Sequence, residues 1–330
     1  MAKILAVLPQ SKDPTVFYRS EMPFVDLERN GHTVTEYRGD GNLCWSDIAR
    51  SDIVYMQRPN HPYLLLSAEK TKEIGVPLWV DFDDDLINIP QHNPYYQTAM
   101  SGLDFMKKIL ELADVITVST EHLKETLGHP EKTIVVPNAY HDRFHSYAKV
   151  LNTKRNNYIA WRGSATHKHD LAEVAPNILE TNKELSDFKF LFMGYDPEFL
   201  TMNMVKDSWY FMPGSMIFSY LKKYHTLAPL ISIFPLEDNN FNLCKSNISW
   251  IEASHAGSLM IAKNLPEFQK PGCITYDTPE ELKDKIVYYT NNVEELLENI
   301  QLSRKYIEDN LLISKVNRKR IKMINRLTKR

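Results

Sequence analysis

The stretch that decides the fold is residues 3–37, KILAVLPQSKDPTVFYRSEMPFVDLERNGHTVTEY. It begins with the apolar run 3–8, continues with a helical pattern over 18–30, and ends with a second strand-like run at 33–37. The helix should stop near Gly31, because glycine adopts the left-handed conformation that ends many helices. A strand, a helix and a second strand in this order predict two parallel strands covered by the helix.

The same alternation continues along the whole chain. In the first half, further strands are predicted at 53–57, 77–81, 115–119 and 133–137, with a helix at 97–113. After the polar segment 141–157, strands are predicted at 158–161, 188–193, 209–212, 230–234, 259–262 and 273–276, and helices at 172–183, 215–225, 248–256 and 279–290. Apolar strands alternating with helices indicate an α/β fold whose parallel sheets are covered on both faces.

The length of 330 residues suits two domains of roughly 150 residues each. We therefore predict a first domain over 1–150, a second domain over 151–305, and a basic carboxyl-terminal helix over 306–330. Two α/β domains joined by one linker would place a cleft at the carboxyl ends of both sets of strands, where ligands bind in such folds.

The composition is that of a globular protein, with 43% hydrophobic and 25% charged residues. No apolar run approaches the roughly 20 residues that span a bilayer, and no secretory signal is visible, so we expect a cytoplasmic protein with no membrane span. The three cysteines, Cys44, Cys244 and Cys273, are widely spaced. This spacing argues against a disulfide framework and against a structural zinc site.

The segment 241–257, FNLCKSNISWIEASHAG, has the pattern of an anion-binding helix. Ser246 or Asn247 would cap the amino terminus of a short helix, and Lys245 would lie just outside it. The unpaired N–H groups and the dipole of a helix amino terminus both favour an anion there. With Glu252 further along the helix for sugar hydroxyls, the segment suits a nucleotide sugar. The alternative is a capped amphipathic helix with a surface glutamate.

A second candidate anion site follows the first strand of the second half. Arg162 comes directly after the run 158–161, and its guanidinium can hold a phosphate through two hydrogen bonds. Gly163 would allow the backbone to approach a ligand closely, and Ser164 follows it. An arginine at a strand end can equally be the partner of an ion pair.

An acidic cluster, Asp81-Phe82-Asp83-Asp84-Asp85, follows a predicted strand of the first half. Carboxylates at a strand end can face a ligand, so Asp83 or Asp85 could be the general base for an acceptor hydroxyl. The alternative is a loop that caps the next helix. No G-x-G-x-x-G follows the first strand and no G-x-x-x-x-G-K-[ST] occurs, which disfavours a dehydrogenase or a P-loop enzyme.

Taken in order, these segments resemble the retaining GT-B glycosyltransferases of family four. The segment 241–257 is similar to the E-x7-E region of that family, in which a glutamate at the position of Glu252 binds the donor ribose. The sequence departs from the family at the first glutamate, where Cys244 stands. Arg162 occupies the place of a basic residue that grips the donor diphosphate. The run WYFMPG from Trp209 resembles a loop whose backbone contacts the nucleobase.

The resemblance implies the GT-B fold, with two Rossmann-like domains whose parallel sheets face an interdomain cleft, and retention of anomeric configuration. It also implies that the first domain, 1–150, is the acceptor side, that the second, 151–305, binds the nucleotide sugar, and that the helix 306–330 packs back on the first domain. The donor-binding residues would be Gly163, Ser164, Met212, Pro213, Ser246, Asn247 and Glu252, the catalytic residues Arg162, Lys245 and Asp83, and the acceptor-side residues Tyr18, Arg19 and Asp85. We expect a UDP-sugar donor, no further cofactor and no metal, although a D-x-D triplet binds metal in the other large glycosyltransferase fold.

The acceptor is predicted from weaker signals. The runs Trp-Arg-Gly-Ser and Phe-Asn-x-x-Lys-Ser resemble phage-encoded glycosyltransferases, some of which modify hydroxymethylated bases in DNA. The basic tail from Lys315 onward would suit the phosphates of duplex DNA, whereas the isoelectric point near 6.4 is low for a nucleic-acid-binding protein. We favour a hydroxymethylated base in phage DNA as the acceptor. The alternatives are a polysaccharide or lipid glycan acceptor, or a two-domain sugar-binding protein without catalysis.

Overall fold

The computed structural model describes residues 1–10, 14–39, 43–144 and 155–329. Its contacts divide the chain into two compact units, which we call the first and second domains. The first comprises Met1–His141, Cys244–Ser246 and Leu311–Arg330, and the second comprises Asp142–Leu243 and Asn247–Asn310. The chain therefore returns to the first domain twice. The predicted boundary after residue 150 lies outside the described residues, and residues 306–310 belong to the second domain instead of the carboxyl-terminal helix.

The first domain is built on a six-stranded parallel sheet. Its strands are β1 (Lys3–Leu8), β2 (Thr33–Arg38), β3 (Ile53–Gln57), β4 (Leu78–Phe82), β5 (Val115–Val118) and β6 (Thr133–Val135). They are ordered β2-β1-β3-β4-β5-β6. Strands β1, β3, β4 and β5 are almost entirely buried, as the apolar runs predicted.

Within the described residues, six helices of the first domain have five or more residues in α conformation. They are α1 (Met22–Arg29), α2 (Trp45–Ala49), α3 (Pro62–Ile74), α4 (Tyr96–Leu112), α5 (Glu121–Leu127) and, at the end of the chain, α12 (Ile313–Leu327). The helix predicted at 18–30 is divided into an α turn at Pro14–Val16, a π segment at Phe17–Glu21, and α1. Pro23 explains the interruption, because it has no N–H to donate to the carbonyl four residues earlier.

The second domain has its own six-stranded parallel sheet. Its strands are β7 (Asn156–Gly163), β8 (Lys189–Gly194), β9 (Trp209–Pro213), β10 (Pro229–Phe234), β11 (Leu259–Lys263) and β12 (Ile274–Tyr276). They are ordered β12-β11-β10-β7-β8-β9. Both sheets confirm the predicted α/β class with two Rossmann-like domains.

The helices of the second domain that have more than five residues are α6 (Lys168–Glu173), α7 (Ala175–Glu184), α8 (Ile217–Leu227), α9 (Ile248–Ala256), α10 (Pro279–Asn291) and α11 (Val293–Asn310). Single turns lie at Ala165–His167, Glu198–Thr201, Asn240–Leu243 and Pro266–Phe268. The helix predicted at 172–183 breaks at Val174, two residues before Pro176, for the same reason as in the first domain.

Each sheet has its own apolar core. In the first domain, the carboxyl-terminal helix α12 packs against α1 and adds Met323 and Ile324 to the core that surrounds β1. In the second domain, Trp161, Phe190 and Phe192 lie at the centre of the core. Among the described residues, no helix combines the length and the apolar character that a membrane span needs.

Candidate functional site

Each sheet has one point where the order of the strands reverses. In the first domain, the chain passes from β1 to β2 on one side and returns to β3 on the other side of β1. In the second domain, the strands β7, β8 and β9 extend one way, and β10 lies on the opposite side of β7. Crevices outside the carboxyl ends of strands at such reversals are the usual ligand sites of open α/β sheets. We call them the first and second switch points.

Arg162 and Glu252 meet at the second switch point. Arg162 lies at the carboxyl end of β7, and its Nη2 is 2.9 Å from Oε2 of Glu252 on α9. Glu252 is only 2% exposed, and the same oxygen accepts a hydrogen bond from the hydroxyl of Tyr220 on α8. Burial and the neighbouring carboxylate raise the pKa of Tyr220 well above its usual value, so this hydroxyl remains a donor. The sequence predicted Arg162 and Glu252, whereas Tyr220 was missed.

Helix α9 holds Glu252 rigidly because every residue of the helix after Ile248 is buried. Trp250 donates its Nε1–H to Ser303 Oγ on α11, and Gly257 ends the helix in the left-handed conformation, at φ 74°. Arg304 donates to the carbonyls of Ser254 and His255 at the carboxyl end of the helix, where a positive charge is favourable. The predicted helix 248–256 and its glycine stop are confirmed.

The loop after β7 contains the predicted donor residues Gly163 and Ser164. A Cβ atom on Gly163 would lie 2.6 Å from the Trp161 ring, so the glycine is needed for packing inside the domain. This differs from the predicted reason, which was close approach to a ligand. Ser164 accepts from the backbone N–H of Thr166 and thereby begins the single turn that follows.

Met212 and Pro213 lie at the carboxyl end of β9, the edge strand of the second sheet. The registers of the parallel pairs put Arg162, Met193 and Met212 in one row across β7, β8 and β9. Since neighbouring strands are about 4.8 Å apart, the row places Met212 roughly 10 Å from Arg162. The two predicted contact regions therefore lie on the same edge of the sheet, separated by one strand.

An imidazole–carboxylate pair, which the sequence did not reveal, ties the two sides of the second switch point together. His167 Nδ1 lies 2.7 Å from Asp170 Oδ2, and the other oxygen of Asp170 accepts from Glu237 N–H after β10 and from Asn242 Nδ2. Burial raises the pKa of Asp170, but these hydrogen bonds outweigh it and hold the pKa below its ordinary value. The pair fixes the loop after β7 against the loop after β10.

The predicted residues Lys245 and Ser246 belong to the first domain, and Asn247 begins the return to the second. Lys245 Nζ binds both carboxylate oxygens of Asp84, at 2.9 and 2.8 Å. Ser246 Oγ accepts from Asn138 Nδ2 at 2.8 Å. Asn247 occupies the N-cap position of α9 as predicted, but its side chain makes no capping bond and instead lies 3.3 Å from Glu267.

Neighbours in the first domain engage each carboxylate of the acidic loop. Asp83 binds Arg58 Nε, and burial, together with the charge of Asp84, raises the pKa of Asp83 despite this partner. Asp85 is fully buried, and its Oδ1 accepts from the backbone N–H groups of Ile87 and Asn88. Asp85 therefore organises its own loop and does not cap the next helix, which begins at Tyr96, and its acceptor role stays a prediction. Asp83 and Asp84 both lie beside Arg58, whereas Asp85 accepts from the backbone of its own loop.

Tyr18 and Arg19, for which an acceptor role is predicted, are both buried in the first domain. Arg19 forms a two-point ion pair with Asp81, at 2.9 and 2.7 Å, and donates to the carbonyl of Val136. Although burial alone lowers the pKa of Arg19, the Asp81 carboxylate raises it above the ordinary value. Thr117 donates its hydroxyl to Asp81 as well.

The basic tail is only partly available to a partner. Arg320 is 1% exposed and donates to Asn317 Oδ1 within α12. Burial and the nearby Arg19 lower the pKa of Arg320 to about 10. Lys319 and Arg318 are both exposed, and Lys319 also donates to the carbonyl of Val135.

No protein-family model matches the chain, and a search of curated proteins found no match. Solved structures match over almost its full length. HepE of Anabaena, solved in complex with UDP, is 12% identical with a TM-score of 0.70, and the match covers 98% of this chain and 100% of HepE. A UDP-forming α,α-trehalose-phosphate synthase from Burkholderia xenovorans is 10% identical with a TM-score of 0.71, and both chains are fully covered.

A UDP-GlcNAc 2-epimerase from Neisseria meningitidis, solved with UDP-GlcNAc, is also similar. It is 11% identical with a TM-score of 0.61, and the match covers 98% of this chain and all of the epimerase. At these identities the likeness establishes the fold. The chain has the two Rossmann-like α/β domains of the GT-B class.

Proposed function

We propose that the protein transfers a sugar from a nucleotide-sugar donor, UDP-sugar being favoured, to a hydroxyl acceptor. The observation that carries the proposal is the meeting of Arg162 and buried Glu252 at the second switch point. A nucleotide diphosphate offers an anion and a ribose diol within a short distance. A guanidinium and a carboxylate 2.9 Å apart provide one partner for each.

The row formed by Arg162, Met193 and Met212 supports the same orientation of a donor. The diphosphate would lie beside Arg162, and the base would reach the end of β9 near Met212 and Pro213. The ribose hydroxyls would bind Glu252, whose position is fixed by Tyr220. His167 and Asp170 would hold the loop after β7 in place for this contact.

The chemistry that we propose is stabilisation of the leaving diphosphate. Cationic donors placed where charge develops lower the barrier, and losing one such contact costs about 3 kcal/mol, or about a hundredfold in rate. We propose that Arg162 and Lys245 donate hydrogen bonds to the leaving diphosphate and that Asp83 is the general base.

Retention of configuration follows only from the resemblance to family four. The family's first glutamate is replaced by Cys244, whose thiol pKa is raised to about 11 by burial, so the thiol is neutral at physiological pH.

The solved neighbours support a donor of this kind. HepE has been solved with UDP-glucose as well as with UDP. The pneumococcal O-GlcNAc transferase GtfA, with a TM-score of 0.58 and 13% identity over 84% of this chain and 57% of GtfA, was solved with UDP and GlcNAc.

The second candidate is isomerisation of a nucleotide sugar, which the full-length likeness to the 2-epimerase favours. Its TM-score of 0.61 is lower than the 0.70 and 0.71 of HepE and the trehalose-phosphate synthase. The two candidates share a donor site and differ in the product, because a transferase releases UDP whereas an epimerase returns an altered UDP-sugar.

For the acceptor, we now place a glycan or another neutral hydroxyl compound before DNA. The DNA hypothesis depended on the resemblance to phage enzymes and on the charges of the tail, and one of these charges, Arg320, is buried within the first domain. Only exposed charges release counterions when they neutralise phosphates.

The test is product analysis with a panel of nucleotide sugars and acceptors, namely simple glycosides, glycans and hydroxymethylated duplex DNA. We expect acceptor-dependent release of UDP, with turnover that survives a chelator. A new UDP-sugar isomer without UDP release would establish the epimerase candidate instead. Tight donor binding without turnover of any donor would indicate a sugar-binding protein.

A further inference from the structure

The hydroxyl of Tyr220 and the guanidinium of Arg162 contact the same carboxylate oxygen. Tyr220 donates to Glu252 Oε2 at 2.9 Å, and Arg162 Nη2 lies 2.9 Å from that oxygen. Two charge-assisted contacts to one oxygen fix the rotation of the carboxylate, and they thereby fix the direction in which the other oxygen, Oε1, points. All three residues belong to the second domain.

The ring of Tyr220 contacts the same arginine. The Cζ atom of Arg162 lies 5.9 Å from the centroid of the ring, within the distance at which a guanidinium is attracted to an aromatic face. The hydroxyl of this one side chain therefore acts on the carboxylate, and its ring acts on the cation. A residue that only filled space would make neither contact, and leucine would suffice in its place.

Helix α8 carries a second tyrosine that stacks on the first. Tyr224, one turn later, has its ring centroid 5.7 Å from that of Tyr220, with an angle of 22° between the ring planes. Tyr224 is buried, and its hydroxyl lies within hydrogen-bond distance of Ser232 Oγ on β10. The stack and this bond hold α8 against the sheet, so the Tyr220 ring has little freedom to turn.

The spacing of the two tyrosines matches the spacing of their partners along the sheet. Ser232 lies beside Ala160 in the register of β10 and β7, and Arg162 follows Ala160 by two residues. Two strand residues cover about 6.6 Å, and four helix residues cover about 6 Å. While Tyr224 reaches the interior of a strand, Tyr220 therefore reaches the carboxyl end of β7, at the second switch point.

A carboxylate held in this way suits a ribose better than a deoxyribose. Carboxylate oxygens only accept hydrogen bonds, and the 2′-hydroxyl is a donor that deoxyribose lacks. A site built to bind a hydroxyl rejects the analogue without it, provided that the acceptor is held in one orientation. A carboxylate that could turn towards other donors would discriminate less.

We propose that Tyr220 is a positioning residue that makes the second switch point selective for ribonucleotides over 2′-deoxyribonucleotides. It acts through Glu252, whose carboxylate it holds in the orientation that receives the 2′-hydroxyl, while its ring keeps Arg162 beside that carboxylate. The inference rests on the proposed function, which supplies the nucleotide and its ribose contact with Glu252. It goes further by assigning the choice between ribose and deoxyribose to a residue of α8.

The experiment measures the affinities of UDP and 2′-deoxy-UDP for the full chain by titration calorimetry. Tyr220→Phe removes the hydroxyl and keeps the ring, whereas Tyr220→Leu removes both. Tyr224→Phe is the matched control, because it removes from the same helix a hydroxyl that bonds to Ser232 and not to Glu252. Thermal unfolding of each variant measures the change in stability. A purely structural role would change stability and both affinities together, and would leave the ratio of the affinities unchanged.

We expect the wild type and Tyr224→Phe to bind UDP about tenfold more tightly than 2′-deoxy-UDP, as a hydrogen bond to a charged group provides. In Tyr220→Phe this preference should fall to about threefold or less, because UDP binds more weakly while 2′-deoxy-UDP is little affected. Tyr220→Leu should lose the same preference. It should also bind 2′-deoxy-UDP about two- to fivefold more weakly, because no ring supports Arg162.

An unchanged preference in Tyr220→Phe, or an equal loss of preference in Tyr224→Phe, would overturn the inference and leave the donor site in place. Equal affinities of UDP and 2′-deoxy-UDP for the wild type would overturn it as well, without any variant. Absence of UDP binding to the wild type would contradict the proposed function itself, and the inference with it.

Discussion

The two switch points follow the same topological rule but differ in how their charges are arranged. The first sheet has the order 2-1-3-4-5-6, and the second, numbered from its own first strand, has the order 3-2-1-4-5-6. At the first switch point, Arg58 at the strand end is matched by Asp83 of the acidic loop, and Lys245 by Asp84. At the second, one partly exposed arginine shares a single buried glutamate with a tyrosine.

At both sites an arginine at a strand end is paired with a carboxylate, and the exposed fractions of the two side chains are similar, 20% for Arg58 and 23% for Arg162. The sites differ in number: two cations and two carboxylates meet at the first, whereas one guanidinium and one buried carboxylate meet at the second. A guanidinium has five N–H donors, so Arg162 can hold a phosphate while it remains beside Glu252. On the proposed function, the second site takes the charged donor.

The largest expected effect is the loss of stability when an ion pair beneath the first switch point is broken. Asp81→Ala leaves Arg19 buried without its carboxylate, which typically destabilises a protein by about 3–5 kcal/mol. Hydrogen exchange of the amides of β1 and β4 in urea measures the loss in the first domain. The control is Asp104→Ala at an exposed position of α4, which should change exchange little. Equal protection in both variants would mean that the pair contributes no net stability.

The next largest effect is expected when the guanidinium at the second switch point is removed. Arg162→Ala should lower turnover by about a hundredfold, because stabilisation of the leaving diphosphate is lost. Arg162→Lys keeps a charge beside Glu252 but loses the two-point geometry, so an intermediate loss is expected. Arg50→Ala, at an exposed site, is the matched control. Steady-state kinetics measure the turnover of the three variants. Wild-type turnover in Arg162→Ala would show that this residue does not belong to the donor site.

Substitution of Lys245 tests whether this residue of the first domain also contributes to binding of the donor. If it also stabilises the diphosphate, Lys245→Ala should lower turnover by about a hundredfold despite the Asp84 pair that the structure shows. Asp84→Asn removes only the partner and should not reproduce that loss. Matching kinetics in Lys245→Ala and the wild type would confine Lys245 to balancing charge in the first domain.

The sequence predicted the positions of all twelve strands in the described part of the chain, because buried parallel strands are continuous apolar runs between helical patterns. It also predicted roles for Arg162 and Glu252, which the structure places 2.9 Å apart. It could not identify their mutual contact or Tyr220, which comes from a helix separated from Glu252 by a whole strand. It could not identify the ion pair of Arg19, because the partner Asp81 lies 62 residues away and no local pattern reveals a buried ion pair.

A smaller effect is expected from pH in the second domain. Burial, with Arg304 nearby, lowers the pKa of His225 from 6.5 to about 4. The unfolded chain therefore binds this proton more readily, so stability is present above pH 6.5 and is lost as the pH falls towards 4. The loss from pH 7 to pH 5 should be about 2 kcal/mol. Urea unfolding at the two pH values measures it, and His225→Gln should show a smaller loss than the wild type.

The central claim is that the second switch point binds a nucleoside diphosphate through Arg162. Titration calorimetry of UDP into the wild type and into Arg162→Ala, with folding checked by circular dichroism, tests it most directly. We predict saturable binding to the wild type and binding weakened about a hundredfold, or about 2.7 kcal/mol, in the variant. Absence of UDP binding to the wild type, or equal affinity in the two proteins, would contradict the account.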